Sequence, residues 1–427
     1  MERPEVRRNA ALRVCKLSRD DGRVRWAELK VAMPELNDLV QRVLDGLVAS
    51  GAEIGLQAAA YVDGELVVDT WAGVADEATG RRVDGETLFT SWSTTKGFVA
   101  TCLHLLADHG LVEYDAPVAR YWPEFAANGK GAVTVRHALT HRSGIPQMPE
   151  CVTPEMMADW EAMCGAIAAL QPLWAPGTRV AYHAWTFGWI VGEIVRRVDG
   201  RPLAQFAREE LCAPLHITSF YLGIPESAEE RIAPLREESA AAAASMAAET
   251  LARRVMPPSV TTAEVMNRPD LRRASIPGGG GIMNARAIAR HYAMLACHGT
   301  LDGAQLLSAD RVDLIRAMQT DAIDMVFGGR ARRALGYHLG GSARRGADVA
   351  MGRRGGEFGH GGKGGSLGFA DPERRLGFGL TKNLMKYDAD PRRSAAYLVA
   401  ERIRGYLDAS PSGRRRFGLM TSLLKRR

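Results

Sequence analysis

Residues 91–110 read SWSTTKGFVATCLHLLADHG, and the first six of them decide how the rest of the chain is read. A serine, Ser93, stands three residues ahead of Lys96 in a 427-residue chain where only eight of 55 basic residues are lysines. If a helix opens at Ser93, the two side chains share a face with Cβ atoms about 5–6 Å apart. A neutral amine at that distance takes the serine's proton and turns a weak hydroxyl into a nucleophile. The run that follows is mostly apolar and stops at Gly110, which predicts a buried helix with Lys96 near its start. Burial disfavours the ammonium form, so such a lysine can act as a base near neutral pH. The competing reading is a serine N-cap followed by a solvated lysine. The same spacing recurs at Ser422 and Lys425, inside a basic tail, where it is an accident.

Composition places the chain among ordinary folded proteins, with 46% hydrophobic and 24% charged residues. Its length suits one large domain or two sub-domains sharing an interface. Net charge is +6, but arginines and acids are interspersed and no basic run carries interleaved aromatics, which argues against nucleic acid as a partner. The tail GRRRFGLMTSLLKRR (413–427) is the exception, expected as a solubilising terminus, with peripheral membrane contact as the alternative. The six cysteines form no CxxC pair and are expected as buried free thiols. The N-terminal residues contain no apolar core of signal-peptide length and no later run is long enough to span a bilayer. A cytoplasmic location is expected on that basis.

Outward from Ser93, residues 1–33 are polar and aperiodic and read as an arm. Residues 34–51, PELNDLVQRVLDGLVASG, carry apolar residues at helical spacing up to Gly51. Two alternating runs joined by Asp63-Gly64 follow in residues 54–76, a strong hairpin signal. From about 111 to 299 the pattern is helical with Pro/Gly punctuation, including TVRHALTHRSGIP (134–146) and AWTFGWIVGEIVRRVDG (184–200). The Ala-rich stretch 239–254 is a good helix former and reads as an insertion or lid. Strand signals return in EFGHGGKGGSLGFADPERRLGFGLTKN (357–383), and residues 392–407 predict a last amphipathic helix. The order predicts an α+β domain over 34–410. One antiparallel sheet is built from about 34–110 and 300–410, with a helical sub-domain inserted over about 111–299 and a basic tail at 411–427.

Rival sites fare worse. Gly364-Gly365-Ser366-Leu367-Gly368 fits G-x-S-x-G, but that motif needs a strand–turn–helix and a histidine after the serine. All ten histidines precede Ser366, and strand and turn chemistry follows it. His137 and His141 have i,i+4 spacing without the glutamate of H-E-x-x-H or a third ligand, so no zinc site is expected. The run Gly278–Gly281 lacks the Lys-Ser/Thr of a P-loop and reads as a flexible loop. HGGKGGS (360–366) is more useful, since consecutive glycines let a substrate approach the backbone and leave N–H groups for an oxyanion.

Taken together, Ser93-Thr94-Thr95-Lys96, LTHRSGIP (139–146), YHAWTFGWIVGEIVRRVDG (182–200) and FGHGGKGGSLGFADPE (358–373) occur in the order and rough spacing of one family. The chain resembles the serine β-lactamase-like superfamily over most of residues 35–405, in particular its class C-like branch and the family VIII carboxylesterases. The resemblance implies a β-lactamase/transpeptidase-like fold, an antiparallel sheet flanked by helices with an all-helical insertion. It makes Ser93 the nucleophile, Lys96 its base and Tyr182 the second proton-transfer group, and it places the oxyanion on the backbone N–H groups of Ser93 and Lys363. A phenol beside an ammonium has a lowered pKa, so Tyr182 and Lys96 are expected to share a proton. No metal or cofactor is implied.

Two departures from the family pattern bear on substrate. Tyr182 is followed by His183 and Ala184 where the family has Tyr-x-Asn, and His360-Gly361-Gly362 stands where β-lactamases have Lys-Thr-Gly. A histidine is mostly neutral at pH 7 and attracts a carboxylate less than lysine does. Both changes point to a small neutral ester, with His360, Gly361, Gly362, Trp92, Trp185 and Phe358 as pocket candidates. The expected activity is hydrolysis of carboxylic esters of short to medium acyl chains through an acyl-serine. Acyl transfer, β-lactam or D-amino-acid peptide cleavage, and a catalytically silent binding scaffold are the alternatives. The insertion at about 225–275 is expected to border the acyl pocket.

Overall fold

The computed structural model describes residues 22–238, 250–341, 348–386, 388 and 390–409. Residues 1–21, the Ala-rich run 239–249 and the basic tail 411–427 lie outside them, and with them the readings made of those stretches.

Asp63 and Gly64 both take positive φ, +54° and +90°, which is the primed turn that matches the twist of two flanking strands. Strands β1 (Gly55–Val62) and β2 (Glu65–Asp76) pair antiparallel across it. β1 is buried along its whole length because its two faces feed two cores. Leu56, Ala58, Ala60 and Val62 meet helices α1 (Gly22–Ala49) and α5 (Ala395–Ala409). Ala59 and Tyr61 face helix α4 (Ala285–Ala296) and the helical part beyond it.

The rest of the large sheet comes from β3 (Arg81–Arg82), β4 (Thr320–Ile323), β5 (Arg330–Arg333), β6 (His338–Leu339), β7 (Phe358–Gly361), β8 (Leu367–Asp371) and β9 (Leu376–Lys382). Its order is β4-β5-β6-β7-β8-β9-β1-β2-β3, antiparallel throughout. The two ends of the chain meet where β9 lies beside β1, Leu56 opposite Lys382 and Val62 opposite Leu376. Between them sit helices α2 (Thr95–Asp108), buried from Thr95 to Ala107, and α3 (Thr186–Asp199), which closes on Gly200 at φ +92°.

Two features differ from the sequence pattern. Helix α1 begins at Gly22 and runs through Pro34, although a proline at the head of an apolar pattern signals a helix start. The middle also holds a small four-stranded sheet of Phe220–Leu222, Gly281–Met283, Leu88–Thr90 and Ile232–Ala233. Strands of two or three residues are too short for alternation to show. This sheet ties the residues just before Ser93 to those just after the glycine run. As the sequence pattern implied, Ser366 lies in the turn between β7 and β8, buried, with its carbonyl accepting the Gly362 N–H at 2.7 Å. That is a hairpin and not a strand–turn–helix elbow.

The five described cysteines are free, four of them buried and Cys151 exposed. Among the described residues no helix is long and apolar enough to cross a membrane.

Candidate active site

Ser93 sits in a 3-10 turn, Trp92–Thr94, that runs directly into α2. Trp92 is held at φ +47°, a left-handed conformation that costs a bulky residue about 1–3 kcal/mol. The turn is pinned from both sides: the Thr95 hydroxyl donates to the Trp92 carbonyl and accepts the Gly281 N–H at 3.0 Å, and the Ser91 N–H donates to the Gly281 carbonyl at 2.9 Å. Ser93 is the half-buried residue of the turn, between the buried Trp92 and Thr94.

Lys96 is fully buried, and its Nζ lies 3.0 Å from Ser93 Oγ. It donates to the carbonyls of Ala184 and Gly278, each at 2.6 Å. Burial pushes its pKa well below the usual lysine value, and the charge of Arg333 pushes the same way. A neutral amine has two N–H bonds and one lone pair. With both N–H bonds spent on carbonyls, the lone pair is left for the hydroxyl of Ser93.

Backbone contacts set that cradle. A Cβ on Gly188 would stand 2.1 Å from the Gly278 nitrogen, and one on Gly278 would stand 2.7 Å from the Trp185 carbonyl. The first turn of α3 and the glycine run therefore touch main chain to main chain, which carries both carbonyls onto Lys96. The expectation of a flexible loop at 278–281 is thus corrected: the run is buried, and its last residue opens a strand. A glycine needed for close approach and one needed for freedom look alike in a sequence.

Tyr182 is buried with its ring 5.1 Å from Lys96 Nζ and 5.2 Å from the Arg333 guanidinium. Four rings surround it, His141 at 4.9 Å, Phe327 at 5.6 Å, His338 at 6.0 Å and His360 at 6.1 Å between centroids. Its N–H donates to Asp324 Oδ1 at 3.3 Å, and Asp324 pairs with Arg333 at 2.6 Å, both buried. Burial holds all three imidazoles well below the usual histidine pKa, and they are therefore neutral. Next door, burial lowers His183 to about 4, and its ring bridges Ser143 and the Ala181 carbonyl at 2.6 Å each. Against the family's Tyr-x-Asn, His183 is a structural histidine at the middle position, and Ala184 stands at the asparagine position with its carbonyl on Lys96.

The metal-ligating geometry among the described residues is not the His137–His141 pair but His141, His338 and His360, whose ring nitrogens lie within 4.8 Å of one another. The set fits a divalent cation poorly. Arg333 donates to His338 Nε2, His141 Nδ1 accepts the His183 N–H at 3.0 Å, and the set contains no carboxylate. A metal ion would sit against a guanidinium. His137 meanwhile closes a capping box with Thr134.

The end of β7 completes the site. A Cβ on Gly362 would stand 2.4 Å from the Ser91 carbonyl and 3.1 Å from Thr94 Oγ1, so the Gly362–Lys363 peptide lies against the Ser93 turn. The Lys363 side chain turns away, over the Trp92 ring at 4.9 Å and toward Glu237 at 3.3 Å. His360 is buried, its Nδ1 on the Gly361 carbonyl at 2.8 Å and its Nε2 without a partner. Trp92 and Trp185 stand 5.9 Å apart, and the Trp185 N–H donates to Thr261 at 3.2 Å. Phe358 does not join them. It is wholly buried and edge-on to Tyr337 at 5.3 Å, a packing position, which corrects the expectation that it lines the pocket. The sequence reading also missed Asp324, Arg333 and His338, which lie far from Tyr182 in the chain and carry no motif.

The beta-lactamase family matches this chain over residues 40–402. Over 266 residues it is 37% identical to "Esterase/beta-lactamase LipL" of Mycobacterium tuberculosis, a match covering 60% of this chain and 61% of LipL. An Escherichia coli beta-lactamase, 26% identical, is spanned over 52% of its length, so the chain covers less than two thirds of these curated relatives. Among solved structures, a family VIII carboxylesterase superposes with a TM-score of 0.77 at 35% identity, over 86% of this chain and 97% of that one. A penicillin-binding protein homologue from Caulobacter crescentus gives 0.78 at 31% identity, over 88% and 98%. By sequence match, fold and the serine–lysine turn alike, the chain belongs to the beta-lactamase family.

Proposed function

We propose that this protein is a serine hydrolase that cleaves neutral carboxylic esters of short to medium acyl chain through an acyl-Ser93 intermediate. The observation that carries the reading is the Lys96 amine, desolvated, with two carbonyls at 2.6 Å and Ser93 Oγ at 3.0 Å. In the proposed reaction Lys96 takes the proton of Ser93 as Oγ bonds to the ester carbon. The oxyanion rests on the N–H groups of Ser93 and Lys363. As the carbon–alkoxide bond breaks, the proton passes through Tyr182 to the departing alcohol. Water then enters by the reverse relay and releases the acid.

A neutral substrate is favoured because the cations near the site are already matched. Arg333 is paired with Asp324 and Lys363 with Glu237, and His360 is neutral. The likeness to LipL, an esterase/beta-lactamase, and to a family VIII carboxylesterase supports ester cleavage. Because LipL is an esterase/beta-lactamase, a β-lactam is the second substrate class to test.

The deciding test is hydrolysis of p-nitrophenyl butyrate by wild type, Ser93→Ala and Ser366→Ala. Loss of at least about 10³-fold in Ser93→Ala, with Ser366→Ala close to wild type, is expected from removal of the nucleophile. Equal rates in all three would sink the proposal. Faster turnover of a chromogenic cephalosporin than of any ester would replace the substrate class.

A further inference from the structure

Residues 323–327 read Ile-Asp-Met-Val-Phe, and their exposure is the reverse of an ordinary surface segment. Ile323, Met325 and Phe327 are 53%, 41% and 59% exposed, whereas Asp324 is buried and Val326 packs on the core. Apolar side chains are thus turned to solvent at alternate positions. The segment is firmly held in that attitude. Asp324 Oδ1 accepts the N–H of Val326 at 2.9 Å and of Phe327 at 3.4 Å as well as that of Tyr182, and the Met325 N–H donates to the Val180 carbonyl at 2.9 Å. One carboxylate therefore fixes the exposed lip and Tyr182 to each other.

We infer that Phe327, flanked by Met325 and Ile323, is the subsite for the alcohol portion of the ester and selects apolar alcohols. The inference rests on the reading of the site as an ester hydrolase. Of the rings described around Tyr182, the imidazoles are buried or half-buried and Phe327 alone is exposed, so it forms the open wall beside the phenol. During acylation the Ser93 Oγ–carbon bond forms and the carbon–alkoxide bond breaks. The serine's proton goes through Lys96 and Tyr182 to the alkoxide oxygen, which leaves as the alcohol. That oxygen must come within about 2.6–3.2 Å of the phenol. Its alkyl or aryl substituent then extends over Phe327, while the acyl group stays bonded to Ser93 on the far side of the breaking bond. Because the alcohol is gone before deacylation, its contact acts on kcat/KM and leaves the water step untouched.

The experiment measures kcat/KM for two ester series with wild type, Phe327→Ala and Phe327→Leu. One series varies the alcohol (methyl, butyl, hexyl and benzyl acetates), and the other varies the acid (methyl acetate to methyl hexanoate). Wild type is expected to favour longer alcohols. Phe327→Ala should lower the hexyl-to-methyl ratio by about tenfold, the scale of a lost apolar contact, with Phe327→Leu between. The dependence on acyl length should keep its slope. An unchanged alcohol ratio overturns the inference, as does a flattened acyl series. A uniform loss across both series also overturns it, since that is the signature of a displaced Tyr182. Wild type inactive on every ester would instead defeat the hydrolase reading on which it rests.

Discussion

Lys96 and Lys130 are both buried lysines, and each points its amine at two backbone carbonyls. Lys96 donates to Ala184 and Gly278 at 2.6 Å each, and Lys130 to Ala127 and Leu170 at 2.6 and 2.5 Å. They differ in the third neighbour. Beside Lys96 it is the hydroxyl of Ser93, and Arg333 adds a like charge that helps drive the proton off. Among the described residues no hydroxyl is bonded to Lys130; both amines lie over an aromatic ring, Tyr182 at 5.1 Å and Phe125 at 5.6 Å, and at Lys130 burial alone lowers the pKa. Burying a lysine therefore does not make a base. What sets Lys96 apart is a proton donor where its lone pair points, with a like charge nearby adding to the desolvation that lowers its pKa.

The comparison breaks if the two lysines respond alike to removal. Lys96→Met should show the largest effect, a fall in kcat/KM of about 10⁴-fold or more with the protein still folded, measured on the same butyrate ester. Its pH profile carries the sign. Lys96 is active only as the free amine, so wild-type kcat/KM should rise with pH through the lowered pKa and then level off. A wild-type profile still rising steeply toward pH 10 would show an ordinary exposed lysine and remove the distinction.

Smaller, and sharper, is Gly278→Ala. The added methyl must displace the main chain at Trp185, moving both carbonyls off Lys96, and a shift of about 1 Å in such a constellation can cost about 10²-fold in kcat. An unaffected kcat would mean the carbonyl cradle does not tune the amine. Lys130→Met should be the mildest. Losing its two part-buried hydrogen bonds, to the Ala127 and Leu170 carbonyls, is expected to cost about 1–3 kcal/mol in chemical denaturation, with kcat/KM and its acid limb unmoved. Lost activity in that variant would contradict the structural role.

The legible parts of the site were those encoded locally. Ser93 and Lys96 are one helical turn apart, so their spacing alone puts them on one face, and the Asp63-Gly64 turn fixes the hairpin by its own backbone preference. Of the glycines of 361–365, Gly362 serves the close approach that the run suggested, whereas Gly364 and Gly365, at φ +83° and +109°, serve the β7–β8 turn. Tyr182 carries no local signal and was reached through resemblance to the family. Gly278 was misread, since only its neighbours tell a tight contact from a loose loop. Asp324, Arg333 and His338 escaped notice because short strands far along the chain bring them beside Tyr182.

By itself, then, the sequence determined which residues could be neighbours along one turn, where the hairpin bends and which runs at the two ends share a sheet. The protonation state of Lys96 was decided only by the tertiary structure. Its two carbonyl partners come from residues 88 and 182 positions away, and the desolvation that strips its charge comes from everything packed around them. Spacing places an amine beside a hydroxyl, whereas its pKa depends on dielectric and charge in three dimensions, which no local pattern encodes.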